Sequence, residues 1–179
     1  MKPLGITLGD PSGVGPEVTC KALATLPPEV RDGIVVIGDP DILARANGVT
    51  GAGLAIGNDV KVIAVDTPKK ESIRDGEISA GGGHAAHGYV VKAVEMARAG
   101  EISVIVTAPL NKTALHRAGH EYDGHTGLIQ HLCGAPSSFM LLYSDALSCI
   151  HVSTHLSLTE AIRRTRKARV LETIRAGNT

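Results

Sequence analysis

Aromatic side chains are nearly missing from this 179-residue chain, which has no Trp, one Phe and three Tyr, 2% in all. A core without them must be built from Val, Ile, Leu and Ala. The 43% hydrophobic content is enough for a folded rather than a disordered chain. Net charge is missing too, with 18 Lys and Arg against 18 Asp and Glu. That balance removes any general electrostatic attraction to nucleic acid or to an anionic membrane. No apolar run approaches the roughly 18 residues of a membrane span. The opening MKPLGITLGD carries no apolar stretch of secretory type. The three cysteines, Cys20, Cys133 and Cys149, are odd in number and lack C-x-x-C spacing. They exclude a disulfide framework and a structural zinc site, and fit reduced thiols in a cytoplasmic protein.

What the chain does have is glycine, 21 residues of it, and apolar runs that alternate with helical patterns. Leu4 to Leu8, Gly33 to Gly38, Val60 to Val65 and Ser103 to Thr107 read as strands. Pro16 to Leu26 reads as a helix, with Pro16 at its first position, Glu17 at the positive dipole end and Pro27-Pro28 as a stop. Asp41 to Ala46, Lys112 to Ala118 and Thr126 to Leu132 read as short helices. Gly88 to Ala99 has the clearest helical spacing, through Val90, Val94 and Ala97. The polar, Gly-rich stretch Pro68 to Gly83 reads as a loop, in which Glu71 to Ile73 can pair locally. Phe139 to Tyr143 and Ser148 to Val152 read as two more buried strands, and Leu158 to Ala176 as one long helix. Strands separated by helices imply an α/β fold with a largely parallel sheet. No linker or repeat is visible, so residues 1–179 read as one unit.

Four stretches can carry chemistry. GDPSGVGPE, Gly9 to Glu17, joins a strand to a helix start, where close glycines and free amides can receive an anion. It lacks the third glycine of G-x-G-x-x-G and the Lys of a Walker loop, so a plain tight turn remains open. TAPLNK follows an apolar strand and ends in Lys112, which can neutralise a carboxylate or phosphate, assist proton transfer, or simply be solvated. DGHT, Asp123 to Thr126, precedes a helix. Thr126 is expected to be its N-cap, and His125 is either a donor to an anion at that helix end or incidental. HVSTHLSL places His155 where a buried strand empties into a loop. His151 and His155 on a strand would be about 13 Å apart at about 3.3 Å per residue, too far to share one ion. His155 is the better metal-ligand candidate, yet a metal site wants about three protein ligands. The basic run Arg163 to Arg169 lies on a helix with an apolar side, and a solvated or salt-bridged face accounts for it better than nucleic acid does. His84 and His87, beside the triple glycine Gly81 to Gly83, read as a helix entry without a role.

Together, GDPSGVGPE, GGGHAAHGYV, TAPLNKTALHRAG, DGHT and STHLSL resemble the 4-hydroxythreonine-4-phosphate dehydrogenase family in order and spacing, from about Leu4 to about Gly177. The resemblance implies a three-layer α/β/α fold like that of isocitrate and isopropylmalate dehydrogenases. It implies an NAD-dependent, divalent-metal-dependent oxidation, with decarboxylation, of a phosphorylated 3-hydroxy acid such as 4-phosphohydroxythreonine in pyridoxal phosphate biosynthesis. The metal would be Zn, Mg or Co. The enzyme would be a homodimer with no nucleic-acid or membrane partner. His155 matches a metal ligand, His125 and Thr126 the substrate-binding pair, and Lys112 and Asp10 active-site loop positions of catalytic type. Gly127 stands where family members often carry an acidic residue, which widens the substrate class to 4-phosphothreonate and 4-phosphoerythronate.

In the family, further metal histidines, the NAD contacts and basic substrate-binding residues come from the second half of the polypeptide. The chain therefore reads as an N-terminal portion. Its isolated form is expected to be inactive, or to be a remnant that keeps only substrate-side anion binding.

Overall fold

The structure, a computed structural model, describes residues 2–68 and 70–178. Lys69, inside the expected loop, and Thr179, where the sequence stops, lie outside the described residues. The chain divides into two compact units, Met1–Gly134 and Ala135–Thr179, where the sequence reads as one. The division follows Gly134, which ends a helix in the left-handed conformation at φ 62°, with Pro136 two residues on. Glycine stops the helix and proline cannot resume it.

In the first unit, β1 (Leu4–Thr7) leads to α1 (Gly15–Thr25) and the single turn α2 (Pro28–Arg31). β2 (Ile34–Gly38), α3 (Pro40–Thr50) and β3 (Lys61–Ala64) follow. After a short 3-10 turn, Lys70–Ser72, comes α4 (Ala80–Ala99), then β4 (Val104–Thr107), α5 (Lys112–Arg117) and α6 (His125–Cys133). The local pairing expected at Glu71 to Ile73 is thus a 3-10 turn. The four strands form one parallel sheet in the order β3-β2-β1-β4, with Leu4 opposite both Ile34 and Val104.

β2 is buried along its whole length, and its alternation decides the layers. Val36 packs with Leu8, Cys20, Leu23 and Leu43 on the face of α1 and α3. Val35 and Ile37 pack with Ala93, Met96 and Ile102 on the other. Successive strand side chains point to opposite faces, so a strand covered on both sides is apolar without a break. The α/β fold with helices flanking a parallel sheet is therefore as expected.

α3 is longer than Asp41 to Ala46. The Asp39 carboxylate caps it by accepting from the Asp41 amide at 2.9 Å, and Gly51 closes it at φ 63°. α4 begins at Ala80, inside the stretch expected to be loop. Ser79 Oγ accepts from the Gly82 amide at 3.1 Å, and all three glycines are helical.

The second unit corrects two expectations. The two apolar runs form a short antiparallel hairpin, β5 (Leu141–Leu142) with β6 (Cys149–Ile150), and not buried strands of the main sheet. Ser144 Oγ accepts from the Leu147 amide and donates to its carbonyl. That local turn returns the chain on itself, and only antiparallel strands can be joined so briefly. The expected long helix is two, α7 (Leu158–Arg164) and α8 (Lys167–Gly177). Arg166 between them is extended, at ψ 152°. No helix among the described residues is long and apolar enough to cross a membrane.

Candidate functional site

The sheet order places β1 between β2 and β4, so the chain leaves β1 in one direction and reaches β4 from the other. Ligands of open parallel sheets bind beyond the strand carboxyl ends at such a reversal. GDPSGVG leaves β1 there and TAPLNK leaves β4. Gly9 has φ 70°, and a Cβ on it would strike the Pro109 carbonyl. A Cβ on Gly15 would strike the Leu8 carbonyl and stand 3.3 Å from that of Pro109. These glycines let the two loops touch through backbone, and the Asp10 amide donates to Pro109 O at 2.9 Å.

Asp10 is 4% exposed. Its carboxylate accepts from the Ser12 amide at 2.9 Å and lies against Gly82 in the first turn of α4. Burial pushes its pKa up, and the hydrogen bond from the Ser12 amide opposes the rise. Ser12 Oγ is buried without a partner among the described residues. A cavity of about 240 Å³ opens here, lined by Asp10, Ser12, Glu77, Pro109 and Asn111 among others. Its volume falls below the roughly 300–1,000 Å³ of sites for larger ligands.

Asn111 connects this cavity to the next residues of the site. Its Oδ1 accepts from the Ala114 amide at 2.9 Å and caps α5, which leaves Lys112 exposed on the first turn. The Lys112 stem lies against Gly124, with Cε 3.7 Å from where a Cβ on that glycine would be. Gly124, and not Thr126, is the N-cap of α6, at φ 135° and ψ −165°. That conformation is nearly restricted to glycine, so the turn cannot exist with a side chain there. With no side chain capping α6, its leading amides face outward beside the exposed Thr126 hydroxyl. His125 is half-buried, and its Nε2 is buried without a partner. Burial holds its pKa below the ordinary histidine value. The turn thus offers a neutral imidazole, a hydroxyl and uncapped amides beside an ammonium group, a donor set suited to an anion.

His155 stands apart from this description, in the second unit. It is exposed and lies five residues beyond β6, in the left-handed region at φ 57°. It does not end a buried strand, because the hairpin that precedes it is short and solvent-facing. Among the described residues, no three His, Cys, Asp or Glu side chains converge as a metal site. The residues present do not by themselves fit a metal ion. Asp10, Ser12 and Asn111 likewise frame a cavity smaller than a dinucleotide needs.

The basic run is tied into its own unit. Arg164 pairs with Glu160 at 2.7 Å, and Arg169 sits 4.2 Å over the Phe139 ring. Arg169 also donates to the carbonyls of Ser138 and Val152. His84 and His87 lie within α4 rather than at its entry, and both meet His120. Ser12, Asn111 and Gly124 carry no role in the sequence reading. Asn followed by a helical run, and Gly after Asp, were the signals for the last two. Nothing local marks Ser12.

The model of the family "Pyridoxal phosphate biosynthetic protein PdxA" matches residues 30–179. The D-threonate 4-phosphate dehydrogenase of Cupriavidus necator is 36% identical over 192 residues, 98% of this chain and 56% of that protein. The D-threonate 4-phosphate dehydrogenase of Salmonella typhimurium is 39% identical over 188 residues, 94% of this chain and 55% of that protein. A crystal structure of a 4-hydroxythreonine-4-phosphate dehydrogenase from Burkholderia phymatum superposes with TM-score 0.88 at 38% identity, over 99% of this chain and 57% of that one. The chain thus spans little more than half the length of the proteins it matches.

Proposed function

Because the chain belongs to the family of the pyridoxal phosphate biosynthetic protein PdxA, we propose that it supplies the substrate-binding part of an NAD-dependent, divalent-metal-dependent dehydrogenase that oxidises and decarboxylates a phosphorylated 3-hydroxy acid. The curated relatives are named for D-threonate 4-phosphate and the solved one for 4-hydroxythreonine-4-phosphate, and D-threonate 4-phosphate is the substrate proposed. The observation that carries the reading is the turn at Gly124, which sets Lys112 beside the unpartnered His125 and the open start of α6.

In this reading Lys112 and the α6 amides hold the anionic end of the acid. His125, neutral at pH 7, and Thr126 hydrogen-bond to it. Asp10, buried at the end of β1, stands where a proton leaves or enters the hydroxy acid. A bound NAD would supply the hydride acceptor. His155 would provide one ligand to a divalent metal, with the others supplied from outside this chain, in a homodimer. The 179-residue chain alone therefore binds the acid and does not turn it over.

The test is an NMR titration of the chain with D-threonate 4-phosphate. Shifts should appear at the His125 and Thr126 signals, and Lys112→Ala or His125→Ala should each weaken binding about 10- to 100-fold, as expected for charge-assisted hydrogen bonds of roughly 1.5–3 kcal/mol. Absence of shifts at those residues refutes the site. NADH production by the chain alone, with NAD and a divalent ion added, refutes the division of labour.

A further inference from the structure

The segment that delivers Gly124, His125 and Thr126 runs between α5 and α6 without regular structure. Glycines with positive φ stand at both ends, Gly119 at 82° and Gly124 at 135°, so its course is set by what anchors it in between. Two side chains anchor it, Tyr122, which packs against the Val90, Val94 and Leu128 cluster, and His120. The His120 ring stacks on His87 with centroids 3.6 Å apart and planes 1° from parallel. Its Nε2 shares a hydrogen bond with His84 Nδ1 at 3.1 Å. Both partners belong to α4, a 20-residue helix with a buried face, which is a rigid platform. The three imidazoles lie 33 and 36 residues apart in sequence, and only the fold brings them together.

We propose that His120 is a positioning residue for the His125–Thr126 turn, clasped by His84 and His87 in a contact that holds while the stacked His87 and His120 rings are neutral and opens when both take up protons. The chemistry is elementary. The His84–His120 hydrogen bond needs one nitrogen lone pair, and protonating both rings leaves none. Two stacked imidazolium rings would place like charges in contact. Burial first, and the neighbouring imidazoles second, hold His87 down to about 4 and move His120 downward from 6.5. No carboxylate is among the causes of either shift. The other groups around the clasp do not supply a counter-charge. α5 brings His116, whose Nε2 meets the Tyr122 carbonyl, and Arg117, which donates to the Ile78 carbonyl. α6 brings His131, tilted 5.7 Å from the Tyr122 ring. Glu121 and Asp123, in the segment itself, are exposed. The clasp is closed at pH 7 and opens as pH falls toward about 4, where His87 takes up its proton.

The consequence for ligand binding rests on the reading of His125 and Thr126 as the substrate turn; the clasp itself does not. Two readouts on the 179-residue chain separate them. The first is amide hydrogen exchange of residues 118–126 at pH 7.5 and 4.0, corrected for intrinsic rates, with β2 as internal reference. Wild type should lose protection several-fold at pH 4.0. His120→Gln should be less protected at pH 7.5 and lack the pH step. His84→Ala, at an exposed position, should fall between them and serves if His120→Gln does not fold. Equal protection at both pH values in wild type, or the same step in His120→Gln, overturns the clasp. The second readout is affinity for D-threonate 4-phosphate at the same two pH values. The ligand's own phosphate titrates near 6, so only the pH dependence that wild type shows beyond His120→Gln belongs to the clasp. Equal dependence in the two proteins overturns the positioning role. No binding by wild type at either pH removes the substrate reading and the positioning role with it, while the exchange data still decide the clasp.

Discussion

The triple glycine at the start of α4 gives a sharp internal contrast, because three adjacent glycines face three different neighbours. A Cβ on Gly81 would meet the Ile73 side chain at 3.4 Å and Ser79 Oγ at 3.9 Å, both ordinary contacts. A Cβ on Gly82 would press on the buried Asp10 carboxylate and stand 3.0 Å from Ser12 Oγ. A Cβ on Gly83 would enter the backbone of α5, overlapping the Ala114 carbonyl and standing 2.6 Å from the Leu115 nitrogen. Replacing helical Gly by Ala gains up to about 1 kcal/mol, less in a first turn. Forcing a methyl into a packed interface costs about 1–3 kcal/mol, more where the obstacle is backbone. Gly81→Ala should therefore stabilise by roughly 0.5 kcal/mol, and Gly83→Ala should destabilise by roughly 1–2 kcal/mol net of propensity. Gly83→Ala should also weaken ligand binding, since α5 carries Lys112. Urea unfolding followed by circular dichroism measures the first effect as a shift of midpoint at constant slope. Gly83→Ala at or above wild-type stability would refute the close α4–α5 contact. A loss above about 1 kcal/mol in Gly81→Ala would mean that the helix does not begin at Ala80.

Acid should weaken the first unit. His87, His120 and His125 all have depressed pKa values in the fold. Above pH 6.5 neither state is protonated. Below it the unfolded chain binds protons first, so stability falls from about 6.5 down to about 4 for His87; a urea midpoint that stays constant from pH 7.5 to 5 contradicts this. Tyr89 is fully buried and its hydroxyl meets Thr67 Oγ1 at 2.6 Å. Thr67→Val removes one partner of that hydroxyl, which keeps a backbone hydrogen bond from Asp39, and should cost about 1 kcal/mol. In alkaline titration at 295 nm, Tyr89 should ionise only near pH 12, held up by burial. Arg169→Ala removes the contact with Phe139 and two carbonyl hydrogen bonds. Limited proteolysis should then cut residues 135–178 several-fold faster, and an unchanged rate shows that these contacts do not hold the second unit.

By itself the sequence determined the alternation of strand and helix through β4, the ends of α1, and the two loops that carry Asp10 and Lys112. These are local matters: an unbroken apolar run such as IVVIG, a proline at a helix start, or a glycine after a strand imposes its conformation on its immediate neighbours. Beyond Gly134 the same kind of run misled, because LL and CI say nothing about which strand they pair with or in which direction. A turn made by Ser144 and Leu147 settled that. The GGG stretch was misread for a related reason. Propensity counts each glycine against a helix, whereas here the missing side chains answer to Asp10 and Ala114, which are distant in sequence and adjacent in space. Thr126 had the right chemistry for a cap, but the φ of 135° at Gly124 took that position. His120 met His84 and His87 only because α4 and α5 pack without a Cβ at Gly83 between them. Conformational preferences act over one to four residues and can be read along the chain. Steric exclusion, burial and the partners of a buried polar atom depend on groups tens of residues apart, so tertiary packing decided them.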